Sequence, residues 1–133
     1  MRAKHLEFAL SGMALLVGAV IYGVFRQNTY IGALVANLLH IPPLQQTVSI
    51  AFYLPDFLWS FSLTSLLLAV FSPTKKLAAL FGIVTSVYGA LWELLQYSGA
   101  ISGTADILDV VLYFTAAWLA VIINHHITKE KAL

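Results

Sequence analysis

Residues 77–97 read LAALFGIVTSVYGALWELLQY, and that stretch settles the architecture. It contains no Lys or Arg, and its only charge is Glu93 near the far end. A helix needs about 20 largely apolar residues to cross the hydrocarbon core of a bilayer, and this run supplies them. Three more runs of the same kind flank it: residues 6–25, 54–71 and 106–124. Glu7 interrupts the first only at its start, and the second opens with Pro55 and Asp56 before a run of Phe, Leu, Trp and small hydroxyl residues. The expected fold is an all-α integral membrane protein. A single domain over residues 1–133 holds four transmembrane helices in a bundle.

Composition agrees. Of the 133 residues, 60% are hydrophobic and 10% are charged, where soluble domains carry about 25% charged residues. With a mean hydropathy of +0.87, an ordinary soluble enzyme, a disordered tail and a nucleic-acid partner are excluded. Seven Lys and Arg, scattered along the chain, cannot neutralise a row of phosphates. The absence of cysteine removes disulfides, thiolate metal sites, a cysteine nucleophile and a lipid-modified cysteine. The first run follows Arg2 and Lys4 but is too long for the apolar core of a signal peptide. No small-x-small cleavage site precedes Arg26, so it reads as a retained first helix.

Basic residues in the loops set the orientation. Arg2 and Lys4 precede the first span, Lys75 and Lys76 lie between the second and third, and Lys129 and Lys131 follow the fourth. With four spans these share one side, and Arg26 alone falls on the other. Both termini are therefore expected in the cytoplasm, with the chain multi-pass in the membrane. Between spans one and two, the apolar Tyr30 to Ile41 portion is too short to cross. Pro42-Pro43 closes it, because proline lacks the amide and restricts the residue before it. A short interfacial or re-entrant helix is expected there. Span two can begin at Leu54, or at Val48 with a kink at Pro55. Small residues at Ala14/Gly18, Ala19/Gly23 and Gly82/Ser86/Ala90 allow close helix approach, within the bundle or in a homo-oligomer.

Four of the six acids, Asp56, Glu93, Asp106 and Asp109, fall at the outer ends of spans two, three and four. An ionisable group in or at the edge of a bilayer is costly and usually faces a partner or a wet cavity. Helical spacing aligns three polar stripes: Asp56, Ser60 and Thr64; Ser86, Gly89, Glu93 and Gln96; Asp106, Asp109 and Tyr113. Their convergence predicts an outward-facing acidic pocket with Gly99 to Gly103 as rim and Glu93 about 6 Å below the end of its span. The binding candidates are Asp56, Glu93, Gln96, Asp106, Asp109 and Tyr113. The four carboxylates and Gln96 form an oxygen set suited to a divalent cation such as Mg²⁺ or Ca²⁺. The plainer role is capping or hydrogen bonding to hydroxyls, and Asp106 suits a cap. Arg26 and His40 are the cations on that side. Trp59, Trp92 and Trp118 read as belt and packing aromatics. His125-His126 cannot share one helical face and reads as cytoplasmic interface.

The stretch Glu93-Leu-Leu-Gln96, followed by Gly103-Thr-Ala-Asp106-Ile-Leu-Asp109, resembles the VanZ-like family of small bacterial membrane proteins. Leu54-Pro55-Asp56 resembles the start of that family's preceding helix, so the likeness covers roughly residues 50–124. The acidic half of the pattern is intact. The basic half is not, with Thr104 in place of an arginine, Trp59-Ser60 in place of a histidine and Tyr113 in place of an asparagine. The resemblance implies action on envelope lipids or their precursors, and a link to glycopeptide (teicoplanin) resistance. The leading expectation is a non-enzymatic or weakly catalytic membrane protein binding a polar lipid headgroup, an envelope precursor or a cation. The alternatives are a small divalent-cation-dependent enzyme on a phosphate- or sugar-bearing lipid, and an ion- or proton-handling subunit beside a larger membrane partner.

Overall fold

The computed structural model describes residues 2–42, 50–71, 74–101 and 103–129, and every regular element among them is a helix. The order is α1 (Arg2–Phe25), α2 (Tyr30–Leu39), α3 (Ile50–Phe71), α4 (Lys75–Tyr97) and α5 (Ile107–Lys129). Four segments, Lys4–Phe25, Ala51–Phe71, Lys75–Tyr97 and Ile107–Lys129, are long and apolar enough to cross a membrane. Each runs over one of the apolar stretches seen in the sequence. Helix α5 continues beyond Asn124 because nothing in His125-His126-Ile127-Thr128-Lys129 breaks a helix. Helix α3 is already formed at Ile50, before Leu54, with Pro55 inside it. Val48, Pro43, Glu130 and Lys131 lie outside the described residues.

The short helix is defined by its caps. Thr29 is extended, and its hydroxyl accepts a hydrogen bond from the Gly32 amide at 3.1 Å, satisfying one of the first-turn donors. At the other end His40 turns into the left-handed region (φ 53°, ψ 40°), and the Ile41 amide closes onto the Ala36 carbonyl at 2.9 Å. Proline then follows at Pro42, which is how such a helix end is commonly terminated. Helix α2 folds back on α1. Gly32 is the point of approach: a Cβ there would sit 2.8 Å from the Tyr22 carbonyl oxygen and closer still to that of Arg26.

Helix α1 lies mainly along α3, α3 along α5, and α5 along α4. Small side chains carry these contacts. Ala14, Ala116 and Ala120 form the core with Phe61, Leu68 and Ala78. Gly18 faces the Trp59 ring, and Gly82 faces Val121 across the α4–α5 contact. Large apolar side chains such as Leu16, Phe71 and Ile107 point outward, while Thr64, Ser86 and Glu93 are buried. That inversion of a soluble protein suits helices whose outer face meets lipid.

Hydrogen bonds between side chains and backbone link the helices. Ser11 Oγ donates to the Ser62 carbonyl and Ser62 Oγ to that of Ser11, each at 2.9 Å. Thr64 and Thr85 hydroxyls meet at 2.9 Å. At the end where α1 begins and α5 finishes, Asn124 Nδ2 donates to the buried Glu7 carboxylate. The sequence placed Glu7 at the cytoplasmic margin, where it interrupts the first apolar run at its start. In the fold it is 4% exposed.

Candidate functional site

A cavity of about 970 Å³ occupies the opposite end, where α1 and α4 finish and α3 and α5 begin. All six candidates from the sequence line it: Asp56 of α3, Glu93 and Gln96 of α4, Asp106 just before α5, and Asp109 and Tyr113 of α5. The helix ends explain the convergence. Successive long helices alternate in direction, so stripes at the start of α3, the end of α4 and the start of α5 fall at one level.

Tyr113 ties the site together. Its hydroxyl lies 3.2 Å from Asp56 Oδ1 and 3.3 Å from Glu93 Oε1. One hydroxyl carries one proton, so it serves one carboxylate at a time. The ring fits because residue 89 is glycine: a Cβ there would lie 2.8 Å from Tyr113 Cβ and closer to the ring. Ser60 Oγ donates to the Tyr113 carbonyl at 3.0 Å, holding α5 against α3.

The other acids are less alike than their spacing suggests. Asp106 caps α5: its Oδ1 accepts from the Leu108 amide at 2.9 Å, and its Oδ2 from the Tyr53 hydroxyl at 3.0 Å. Glu93, buried at 5% exposure, accepts from the Asp106 amide at 3.0 Å through Oε2. It therefore anchors the loop before α5 to the end of α4. Asp109 differs. Its Oδ1 is enclosed by protein and has no hydrogen-bond partner among the described residues. Gln96, with its amide oriented to suit both neighbours, donates to the Thr104 carbonyl and accepts from Trp92 Nε1, each at 3.1 Å. The rim glycines are required by backbone: Gly99 has φ 74° and Gly103 φ 145°.

Arg26 also enters the cavity. Its Nη1 donates to the Tyr22 hydroxyl at 2.9 Å, and its Cζ lies 4.7 Å from the Tyr22 ring centroid and 5.6 Å from that of Phe52. Tyr22 in turn stacks on Trp59 at 4.7 Å. The sequence had marked Arg26 only as one of two cations on this side. The other, His40, is an exposed helix cap and does not line the cavity. Tyr22 and Tyr53 carried no signal beyond aromaticity. Their polar roles depend on partners far away in the chain.

The arrangement can bind a charged or polar group in a space lined by aromatic rings. As for a metal, no three His, Asp and Glu side chains among the described residues come together in a way that would hold an ion. Asp106 and Glu93 already use their oxygens on backbone amides and tyrosine hydroxyls. No family model, no curated protein and no solved structure matches the chain.

Proposed function

We propose that this is a multi-pass protein of the bacterial cytoplasmic membrane whose four spans form a bundle with both termini inside. Its cavity opens on the outer face and binds the polar head of a membrane lipid or lipid-linked envelope precursor. The single observation that carries the reading is the cavity itself. It gathers Asp56, Glu93 and Asp109 from three helices, and Arg26 from the turn after α1, at one end of the molecule. Ionisable groups set that deep in membrane helices mark ligand or ion sites by default. The loop charges support the orientation, because Lys75 and Lys76 sit at the end away from the cavity. Membership of the VanZ-like family, with its link to glycopeptide resistance, belongs to the same proposal and rests on the Glu93-to-Asp109 pattern. Arg26, from the turn after α1, supplies a positive charge to the same cavity.

The protein acts here as a binding protein rather than an enzyme. An oligomer, or a larger membrane partner, would use outer apolar side chains such as Leu16 and Ile107. The small residues Gly18, Gly82 and Gly89 already face the chain's own helices. Native mass spectrometry of protein released from lipid nanodiscs tests the proposal. The wild type should retain one lipid, and a Glu93→Gln/Asp109→Asn variant, of nearly unchanged shape, should lose it. A wild type that emerges bare under conditions preserving its fold would contradict the reading.

A further inference from the structure

The cavity holds charges of both signs and keeps them apart. A guanidinium has five N–H donors, and the hydrogen bond to Tyr22 occupies one of Arg26's. Among the described residues its plane meets the Tyr22 and Phe52 rings rather than a carboxylate. On the acidic side, Asp106 has both oxygens hydrogen-bonded, Glu93 Oε2 holds the Asp106 amide, and the one Tyr113 proton serves either Glu93 Oε1 or Asp56 Oδ1. Asp109 is the carboxylate left over: among the described residues neither of its oxygens accepts a hydrogen bond, and with Oδ1 enclosed by protein it is Oδ2 that is left for the cavity the residue lines. An arginine and a carboxylate in a shared enclosure ordinarily pair, because each is costly to bury alone. Here each lines the same chamber with donor or acceptor capacity unmet.

A ligand carrying one charge would serve half of this arrangement. A bare cation leaves Arg26 unanswered, and a bare anion meets four carboxylates. We infer that the cavity takes a zwitterionic head, a phosphodiester of a primary amino alcohol, with its phosphate on Arg26 and its ammonium on Asp109. A primary ammonium brings three N–H donors to carboxylate oxygens, which a quaternary amine cannot. Arginine is the side chain whose fork matches phosphate oxygens. A volume of about 970 Å³ lies within the range of small-molecule pockets, about 300–1,000 Å³. This inference rests on the headgroup reading above and narrows it to one chemical class. That class occurs in an aminophospholipid and in its soluble glycerophosphodiester.

Trp59 and Trp92 line the cavity and Trp118 does not, so tryptophan fluorescence reports occupancy. The purified protein in phosphatidylglycerol nanodiscs is titrated with glycerophosphoethanolamine, glycerophosphocholine, glycerophosphate and ethanolamine. The ethanolamine diester should bind the wild type at least about tenfold more tightly than any other probe. Arg26→Gln should reduce it to the level of ethanolamine, and Asp109→Asn to that of glycerophosphate. Adding phosphatidylethanolamine to the discs assigns the source. Loss of the soluble probe's binding makes the lipid the ligand, and persistence makes it the soluble diester; both outcomes keep the class. Ethanolamine binding as tightly as the diester, with Arg26→Gln unchanged, would overturn the inference and leave a simple cation site. No binding by any probe, together with a bare protein in native mass spectrometry, would overturn the headgroup reading as well. The probe series on the wild type gives its answer even if a variant fails to fold.

Discussion

Tyr113 and Glu93 show how differently two polar residues can be used in one cavity. Tyr113 serves either Asp56 or Glu93 through one hydroxyl, so Tyr113→Phe should keep the ring's packing and remove that hydrogen bond. A hydrogen bond to a charged group is worth about 1.5–3 kcal/mol, and thermal unfolding in detergent should register a loss of that order. Gly89→Ala acts on the same ring from behind. The added Cβ would force Tyr113 to move, at a cost of about 1–3 kcal/mol for overpacking, and lipid retention should fall with it. Glu93 was legible in the sequence as the deepest acid. Its principal partner was not, because the Asp106 amide is backbone and leaves no signature in residue type. The amide of Glu93→Gln can still accept that bond through oxygen, whereas Glu93→Leu cannot. Quantified in membranes by immunoblot, Glu93→Gln should accumulate like the wild type and Glu93→Leu should not. Equal abundance of the two would remove Glu93 from the role of loop anchor.

Among the elements, helix existence could be read from apolar runs and helix ends only where a cap or breaker stood. Thr29, His40 and Pro42 bracket α2 closely. The start of α3 was ambiguous because Pro55 reads as a helix opener. In the fold the helix precedes it: Pro55 is the sixth residue of α3 and lacks the amide that would bond the Ala51 carbonyl. The extension of α5 to Lys129 was missed because polar residues past Asn124 end the apolar run without ending the helix. Pairing between helices was the least legible level. Ser11 and Ser62 are 51 residues apart, and Glu7 and Asn124 are 117 apart. Neither pair shares a local pattern. The reciprocal Ser11–Ser62 bonds join α1 to α3. A double-mutant cycle with Ser11→Ala and Ser62→Ala should give a coupling of about 0.6 kcal/mol, the average for interhelical hydrogen bonds in a membrane protein. Additive effects would show that close backbone approach, rather than those bonds, holds the helices.

For the molecule as a whole, four helices able to cross a membrane place the cavity at one end and the α3–α4 connection at the other. Helix α4 alone separates them by its length of 23 residues, about 34 Å at 1.5 Å per residue. The two ends must therefore lie on opposite sides of the membrane if α4 spans it, and the headgroup proposal requires the cavity outside. Since the chain contains no cysteine, single substitutions report cleanly. Thr104 is exposed at the cavity rim. Thr74 is exposed at the start of α4, and its side chain makes no capping bond there. Intact cells expressing Thr104→Cys or Thr74→Cys are treated with a membrane-impermeant thiol reagent, with permeabilised cells as the reference. Thr104→Cys should be labelled in intact cells, and Thr74→Cys only after permeabilisation. The reverse pattern would turn the cavity toward the cytoplasm and contradict an outward-facing headgroup site.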